Sequence, residues 1–413
     1  MKSEILATGD EIRSGALIDS NSAYIAQHLE RCGVTVLRHH CVGDELQILT
    51  EALIDIAERA RIAVVTGGLG PTIDDVTTQA AADAVGKTTM LDQKALDSIE
   101  DFFKSRDRSM SSSNKKQAML PEGADPLYNP VGTAPGFCLD IKGCLFFFLP
   151  GVPYEMKKML KEQVLPRLKA MQGDQRRFCK VKTISTFGLP ESTTGERVEE
   201  ISDIFPELRL GLRASFPDIQ IKLYAEGTDE NHLNQQIDKA AKWVLDRMGK
   251  KAFSVDGETM EAVAGRLLKK KHATIAVAES CTGGLIAHQL TNVAGSSDYF
   301  QFSGITYSNE SKIRVLGVNP DTIEKYGAVH EETAKEMAMG AKKLVGADFG
   351  LSTSGIAGPT GGSDDKPVGT VCIGLATPED VFGYRFFFPF PSRSMNKSIF
   401  AMTALDILRR SLL

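Results

Sequence analysis

The sequence lacks the features that mark exported, membrane-embedded or zinc-binding proteins. Its seven cysteines are scattered and form no C-x-x-C pair, which argues against both a disulfide framework and a cysteine zinc site. The strongest apolar run, from Leu145 to Leu149, is far too short to cross a bilayer. The first ten residues, MKSEILATGD, lack the basic flank and long apolar core of a signal peptide. We therefore expect a cytoplasmic protein with no membrane partner.

A large excess of charge of either sign is lacking as well. The 48 Lys and Arg residues nearly balance the 53 Asp and Glu residues, which leaves a formal net charge of −5. A chain with this balance has no overall attraction for phosphate backbones, so nucleic-acid binding would require a local basic patch that the sequence does not display. The composition favours small-molecule partners.

The length of the chain predicts more than one domain, because a single hydrophobic core seldom organises 413 residues. Strand-like and helix-like patterns alternate in residues 1–171 and again in residues 253–413, whereas residues 172–252 have the pattern of a small α+β unit. This organisation predicts the α/β class, with two three-layer α/β/α domains joined by a small α+β domain.

Two loops near the N-terminus have the features of a ligand site. The first, TGDEIRSGALIDSN at 8–21, follows the first predicted strand, and the second, GGLGPTIDD at 67–75, follows the third and opens a helix. Ligands bind parallel sheets at the carboxyl ends of the strands. Glycines that allow close backbone approach, a helix N-terminus and two carboxylates suit a pyrophosphate with a divalent metal. The alternative is an ordinary turn capped by Thr72 or Asp74.

The rest of the first two domains has fewer functional signals. We expect a helix at 92–106, a surface loop over SRDRSMSSSNKK, a buried strand at FFFLPG and a closing helix that ends near Ala170. Residues 172–252 read as a strand at KVKTISTFG, a helix at TTGERVEEISDIF (193–205), a strand at DIQIKLYAEG and a helix at ENHLNQQIDKAAKWVLDRMGK. They lack the G-x-x-G clamp of KH domains that bind RNA, so we expect a structural or dimer-forming spacer.

The most informative segment is 274–312. The run TIAVA predicts a strand that stops at ESCTGG, residues 279–284, and an amphipathic helix follows. This arrangement places Ser280 at the carboxyl edge of a sheet, beside helix N–H groups that could hold an oxyanion. Tyr307 and Lys312, in the segment YSNESK, supply a phenol and an amine. A partly desolvated lysine can activate a serine where no histidine does so.

Two alternatives exist for this segment. Ser280 could simply be a helix N-cap, but a plain helix start gains nothing from two glycines in its first turn. Cys281 is a rival nucleophile, but it has no histidine partner in the motif, and a small buried thiol is the commoner fate of cysteine. We therefore predict a hydrolase in which Ser280 is the nucleophile, Lys312 the base, and Tyr307 an acid or an orienting group for the lysine.

Several motifs carry a resemblance to known families. ESCTGG, YSNESK, SGIAGPTGG at 354–362 and KPVGT at 366–370 are similar to the nicotinamide mononucleotide deamidase domain, over residues 253–413. The N-terminal loops, together with NPVGTAPGF and LPGVPYEM, resemble the molybdopterin-binding (MoCF-like) domain. The two parts together resemble the competence/damage-inducible CinA family, whose middle module is KH-like.

For the C-terminal domain, the resemblance implies hydrolysis of nicotinamide mononucleotide to nicotinate mononucleotide and ammonia, without a cofactor. N–H groups around Thr282 and Gly283 would hold the oxyanion. Arg393 lies where the family has a functional arginine, although Pro-Ser-Arg replaces the commoner Gly-Asp-Arg. The implied substrate-binding residues are Thr282, Gly283, Gly284, Ser354, Gly355, Gly358 and Arg393.

For the N-terminal domain, the resemblance implies ADP-ribose pyrophosphatase activity and a divalent metal such as Mg²⁺. Asp75 would hold the ion, assisted by Asp74 or by Asp10 and Glu11. The implied substrate-binding residues are Gly9, Asn21, Gly67, Gly68, Gly70, Thr72 and Thr133. Alternatives are molybdopterin binding with only the deamidase active, or a competence- or DNA-damage-associated scaffold. The family also implies a homodimer.

Overall fold

The computed structural model describes residues 1–173 and 177–413. These residues form three main β-sheets with flanking helices, which confirms the predicted α/β class with a small α+β unit between two α/β/α domains. The chain divides into two compact units, Met1–Val181 with Ala225–Gln235, and Lys182–Tyr224 with Gln236–Leu413. The domain boundary expected at 171 and 172 remains a prediction, and part of the segment around it lies outside the described residues.

Eight strands lie in the N-terminal region: β1 (Lys2–Thr8), β2 (Thr35–Val42), β3 (Ile62–Thr66), β4 (Thr89–Leu91), β5 (Met119–Pro121), β6 (Asp125–Leu127), β7 (Gly136–Ile141) and β8 (Cys144–Leu149). Six of them form one sheet in the order β2-β1-β3-β8-β7-β6, and β4 pairs with β5. The first four strands of that sheet are parallel to one another, whereas β7 runs antiparallel to its two neighbours, β8 and β6. The predicted parallel arrangement therefore holds at the centre of the sheet.

Both faces of this sheet are covered. The helices are α1 (Asp10–Arg13), α2 (Ser20–Arg31), α3 (Leu46–Ala57), α4 (Thr77–Ala84), α5 (Gln93–Lys104), α6 (Pro153–Met159) and α7 (Leu165–Gln172). Side chains alternate between faces along a strand, so Val65 and Phe148 enter one hydrophobic cluster while Val64 and Phe147 enter the other. Burial on both faces explains why β3 and β8 are almost continuously apolar.

Two local features of this region differ from the prediction. β7 is a buried strand that pairs with β8, and Phe137 stacks on Phe148 with ring centroids 4.4 Å apart. The expected surface loop over SRDRSMSSSNKK runs into a short 3₁₀ helix, Ser112–Ala118. The sequence FCLDI is short and ends in a turn, so it indicates a strand less strongly than the neighbouring FFFL run does.

The middle region forms a four-stranded sheet from β9 (Phe178–Phe187), β10 (Leu208–Ser215), β11 (Asp218–Gly227) and β12 (Ala252–Ser254), in the order β10-β11-β9-β12. Its helices are α8 (Glu191–Val198), α9 (Ile201–Ile204) and α10 (Glu230–Met248). The strand predicted from DIQIKLYAEG is β11. The helix expected at 193–205 is instead two short helices, and β10 is an additional strand.

The C-terminal region contains α11 (Met260–Lys270), β13 (Ile275–Glu279), α12 (Leu285–Thr291), β14 (Phe300–Ile305), α13 (Asn309–Leu316), α14 (Pro320–Tyr326), α15 (Glu331–Val345), β15 (Phe349–Gly355), β16 (Thr370–Ala376), β17 (Val381–Phe387) and α16 (Arg393–Ser411). The sheet order is β14-β13-β15-β16-β17, with β13 parallel to both of its neighbours. Apolar residues of α11, α12 and α16 cover one face, and those of α13 and α15 cover the other.

No helix in residues 1–173 or 177–413 combines the length and apolarity needed to cross a membrane.

Candidate active sites

Ser280 lies at the carboxyl end of β13, as its motif predicts. Its N–H donates to the carbonyl of Thr353 on β15 at 3.0 Å, so the serine is held at the edge of the sheet. Gly283 and Gly284 have φ angles of +61° and +91°. Only glycine adopts such angles readily, and these two residues let the chain turn sharply into α12. The turn leaves Ser280 buried, with 8% exposure.

Lys312 reaches this serine from α13. Ser308 caps that helix by accepting the N–H of Ser311 at 3.0 Å, and one turn later the Lys312 side chain is buried. Its Nζ lies 3.2 Å from Ser280 Oγ and also donates to the carbonyls of Thr306, at 2.8 Å, and Tyr307, at 3.3 Å. Burial lowers the pKa of Lys312. A buried amine in contact with a hydroxyl is the arrangement that a Ser/Lys nucleophile requires.

Glu279 occupies the helix end beside the serine. Its fully buried carboxylate accepts the N–H groups of Gly284 at 3.0 Å, Ile286 at 3.2 Å and Ala287 at 2.9 Å. The carboxylate therefore caps α12 and satisfies donors that a helix N-terminus otherwise leaves free. The N–H of Gly283 donates to the Ser280 carbonyl at 3.1 Å. Of the two N–H groups expected to hold the oxyanion, that of Gly283 therefore already has an acceptor.

The other two residues of the ESCTGG motif face the protein interior. Thr282 Oγ1 lies 2.8 Å from Thr353 Oγ1, and the Thr282 side chain is fully buried, so it ties the loop to β15. Cys281 is also buried, and that burial raises the pKa of its thiol to about 12. The thiolate is the reactive form of cysteine, so Cys281 is a poor nucleophile at neutral pH.

Tyr307 and Arg393 meet at the edge of this site. Arg393, at the start of α16, donates from Nη2 to the Tyr307 hydroxyl at 2.9 Å and from Nη1 to the Gly358 carbonyl at 2.7 Å. The Tyr307 hydroxyl thus contacts Arg393, and it is the main-chain carbonyl of Tyr307 that contacts Lys312. Residues from three separate motifs are thereby brought together, with the guanidinium held over the glycine-rich loop.

Close packing explains much of the composition of the glycine-rich loop, residues 354–362. Ser354 Oγ donates to the Ala328 carbonyl at 2.6 Å and is buried. A Cβ on Gly355 would lie 2.6 Å from the Thr370 carbonyl oxygen, and one on Gly358 would lie 2.5 Å from Val368 Cγ1. These three predicted substrate-binding residues therefore set the shape of the loop.

Sequence reasoning missed Lys397, which lies on α16 one turn beyond Arg393. Its side chain is half-buried, and its Nζ lies 3.3 Å from the point that a Cβ on Gly283 would occupy. Residues four apart share one face of a helix, so the spacing of Arg393 and Lys397 was a usable signal. This spacing points to the serine site only when it is known that α16 packs beside the loop that contains Ser280.

The second candidate site is a cavity of about 410 Å³ where β1, β3 and β8 end. The predicted residues that line it are Gly9, Glu11, Asn21, Gly67, Gly68, Gly70, Asp74, Asp75 and Thr133. Two predicted residues lie beside the lining. Asp10 pairs with Arg13 at 3.1 Å, and Thr72 donates its N–H to Asp75 Oδ2 at 2.9 Å. The cavity therefore gathers most of the predicted set at the expected edge of the sheet.

Glycine is required at the base of this cavity. Gly67 has φ +114°, and a Cβ there would lie 2.5 Å from the Thr8 carbonyl oxygen. Gly68 has φ +66° and packs against Thr77. Adjacent to them, Asn21 donates from Nδ2 to Thr66 Oγ1 at 3.0 Å and to the Gly151 carbonyl at 2.8 Å. Within residues 1–173 and 177–413, the buried Asn21 Oδ1 has no hydrogen-bond partner, so it can accept a donor from a ligand.

Carboxylates surround the mouth of the cavity. Burial, together with the negative charges of Asp10, Glu11 and Asp74, raises the pKa of Asp44. Among the described residues, no three Asp, Glu, His or Cys side chains are grouped closely enough to hold a metal by themselves. The carboxylates fit the other common mode, in which Mg²⁺ is shared between one or two carboxylates and the substrate phosphates.

Three further residues lie at the cavity without having been predicted. Gln117 lines it, Lys116 donates to the Thr72 carbonyl, and the buried Glu155 accepts Asn129 Nδ2 at 2.7 Å. Burial raises the pKa of Glu155. The segment containing Lys116 and Gln117 was expected only as a surface loop, and its polar composition gave no sign that it reaches the cavity.

Three protein-family models match the chain. The probable molybdopterin binding domain matches residues 4–170, the damage-inducible protein CinA KH domain matches residues 181–254, and the CinA C-terminal domain matches residues 257–412. Each matched range covers all or most of one of the three main sheets. The predicted resemblances of the first, middle and last regions are thus confirmed.

Relatives match along the whole chain. A CinA-like protein of Desulfosudis oleivorans is 52% identical over 413 residues, which is 100% of both chains. A CinA-like protein of Geobacter metallireducens is 42% identical over 415 residues, again 100% of both. The nicotinamide-nucleotide amidohydrolase PncC of Shewanella oneidensis is 41% identical over 415 residues, covering 100% of this chain and 96% of that protein.

Proposed function

Because this chain belongs to the CinA family, we propose that its C-terminal region hydrolyses the carboxamide of nicotinamide mononucleotide, releasing nicotinate mononucleotide and ammonia. The observation that carries the proposal is the 3.2 Å contact between Lys312 Nζ and Ser280 Oγ in a buried setting. The relative that bears the name nicotinamide-nucleotide amidohydrolase, matched over nearly its whole length, supports the choice of substrate.

The contacts of the serine support a two-step reaction. Lys312, whose pKa is lowered by burial, takes the proton of Ser280 when it is in its neutral form, and the serine oxygen attacks the carboxamide carbon. The carbon–nitrogen bond then breaks, and Lys312 returns the proton to the nitrogen, which leaves as ammonia. In the second step water gives a proton to Lys312 and attacks the ester carbon. The bond to Ser280 breaks, and the serine recovers its proton as nicotinate mononucleotide departs.

Arg393 is the residue best suited to the substrate phosphate. Its guanidinium is oriented by hydrogen bonds to the Gly358 carbonyl and the Tyr307 hydroxyl, and no carboxylate in residues 1–173 or 177–413 pairs with it. A guanidinium fixed in this way presents its remaining donors in a rigid fork that matches a phosphate. Tyr307 would act indirectly, through its hydroxyl on Arg393 and its carbonyl on Lys312.

The decisive test is ammonia release from nicotinamide mononucleotide by the wild type, Ser280→Ala and Ser297→Ala. Ser297 is an exposed serine of the same region and serves as the matched control. We expect the Ser280 variant to lose about 10³-fold or more in kcat with little change in KM, and the control to match the wild type. Full activity in Ser280→Ala would refute the assignment of the nucleophile.

A second proposal concerns the N-terminal cavity, which we assign to hydrolysis of the pyrophosphate of ADP-ribose. Three features support it: backbone approach at Gly67 and Gly68, the unpartnered acceptor of Asn21, and the carboxylates at the mouth. Asp74, with Asp75 or Asp44, would hold a divalent metal, which when bound would polarise the pyrophosphate. Asp75 already accepts the N–H of Thr72 at 2.9 Å, which limits it to one free oxygen.

This second proposal is tested by release of AMP from ADP-ribose, with Mg²⁺ and with EDTA. A thermal-shift comparison of ADP-ribose with a molybdopterin precursor distinguishes the two ligand classes. We expect metal-dependent AMP release and stabilisation by ADP-ribose. Stabilisation by the pterin compound alone would move the assignment to molybdopterin binding.

A further inference from the structure

The backbone around the nucleophile is poor in free donors. Attack on the carboxamide by Ser280 places a negative charge on the former carbonyl oxygen, and that charge needs a donor or a cation. The Ser280 N–H is committed to Thr353, and the Gly283 N–H to Ser280 itself.

The main-chain N–H groups of Gly284, Ile286 and Ala287 at the start of α12 are not available to such an oxyanion. Glu279 accepts three successive donors there, from Gly284, Ile286 and Ala287. Its negative charge also opposes the positive end of the helix dipole, which otherwise favours anions. Because these donors are committed, a group outside the loop is the next candidate to balance the negative charge on the former carbonyl oxygen.

Lys397 is in the right place to balance it. Its ammonium group lies against Gly283, three residues after the nucleophile, at 3.3 Å from where a Cβ would be. In the part of the chain that the structure describes, no hydrogen bond or ion pair engages this ammonium group, although the side chain is half-buried. A half-buried cation without a counter-ion, beside a loop in which the N–H groups of Ser280, Gly283 and Gly284 already have acceptors, is suited to a charge that appears only during the reaction.

We infer that Lys397 is a catalytic residue that stabilises the oxyanion formed when Ser280 attacks an acyl carbon. The inference rests on the proposed serine chemistry and assigns to Lys397 the role first expected of the N–H groups around Gly283. It also separates the two cations of α16. Arg393 is held by Gly358 and Tyr307 and serves the phosphate, whereas Lys397 serves the reacting carbonyl.

The test compares Lys397→Met and Lys397→Arg with Lys343→Met, a control at an exposed lysine of α15. Kinetics are measured with nicotinamide mononucleotide and with nicotinamide riboside, which has no phosphate. We expect Lys397→Met to lower kcat by about 10²-fold on both substrates with little change in KM, Lys397→Arg to recover part of the loss, and the control to match the wild type. Melting temperatures measured alongside report whether the variants remain folded.

Three outcomes overturn the inference. Wild-type kcat in Lys397→Met removes the role altogether. A loss confined to KM for the phosphorylated substrate makes Lys397 a phosphate contact instead. A loss that follows a lowered melting temperature, and that Lys397→Arg does not relieve, makes it structural.

A second substrate separates this inference from the proposed function. Acylation of Ser280 by p-nitrophenyl acetate forms the same kind of oxyanion, and the p-nitrophenol burst reports it. If the wild type releases no ammonia but shows a burst that Ser280→Ala abolishes, the proposed substrate is wrong, and a smaller burst in Lys397→Met still supports the role of Lys397. If the wild type shows no Ser280-dependent burst either, the serine chemistry and the inference both fail.

Discussion

The N-terminal cavity and the C-terminal serine site differ in how far their polar groups already have partners within the protein. The cavity is built from glycines, backbone and carboxylates, and Asn21 Oδ1 has no partner in the part of the chain that the structure describes. In the serine site, Ser280, Lys312 and Arg393 already contact other groups of the protein. The first site is therefore prepared for binding, and needs its ligand to satisfy it. The second carries nucleophile and base already in contact.

The difference also appears in the charges. At the cavity, like charges face one another, and the pKa of Asp44 rises through burial and repulsion. At the serine, burial lowers the pKa of Lys312 and so favours its neutral form relative to an exposed lysine. A group of carboxylates binds cations, and through a bound cation it can also bind a polyanion. A lysine in its neutral form is suited instead to accepting a proton.

The largest expected effect is on the serine site. Lys312→Met should lower kcat for ammonia release by about 10³-fold or more, because the serine loses its general base. In the wild type, activity should rise with pH as Lys312 loses its proton, and the rise should lie below the ordinary lysine pKa of 10.5, since burial lowers it. Steady-state kinetics between pH 6 and pH 10 measure both effects. A wild-type rate in Lys312→Met would show that the serine site does not use this lysine for proton transfer, and the contrast between the two sites would then fail.

A middle-sized effect is expected at the cavity. Gly67→Ala adds a Cβ 2.5 Å from the Thr8 carbonyl oxygen and should lower the free energy of unfolding by about 1–3 kcal/mol. The variant should also lose the stabilisation that ADP-ribose gives to the wild type. Gly86→Ala is the matched control, because Gly86 has φ +68° but nothing within 4 Å of its Cβ position. Urea unfolding measures the two costs, and ammonia release should be unchanged in both variants. Equal costs would mean that close packing at Gly67 is unimportant.

The smallest effect concerns charge at the cavity mouth. Because the folded state raises the pKa of Asp44, its ionised form costs stability above the ordinary aspartate range, and this cost disappears as pH falls below about 4. Asp44→Asn should therefore raise the melting temperature at pH 7 by the equivalent of less than about 1 kcal/mol, after solvent screening. The gain should shrink toward pH 4, and exposed Asp364→Asn should show none. A gain independent of pH would exclude the electrostatic explanation.

Local sequence patterns predicted much of the framework. The run TIAVA became β13, and the two glycines after Ser280 adopt the positive φ angles that a sharp turn into a helix needs. The same holds for Gly67 and Gly68 after β3. These features depend on the conformational limits of a few consecutive residues, which can be read from a sequence directly.

Features that depend on distant packing were not predictable in the same way. The N–H groups near Gly283 looked available, but the side chain of Glu279 turns back and takes those of the helix start. The partner of the Tyr307 hydroxyl is Arg393, which is remote in sequence. Side-chain direction and the packing of α16 decide these contacts, and neither follows from local propensity.

The buried thiol beside Ser280 gives the serine site an unexpected tolerance of oxidants. Peroxides and alkylating agents react with the thiolate form of cysteine, and Cys281, with its pKa raised to about 12, is almost wholly protonated at neutral pH. An exposed thiol such as Cys41 would be modified first. We therefore expect amide hydrolysis to continue under redox stress that would silence a cysteine-dependent amidase.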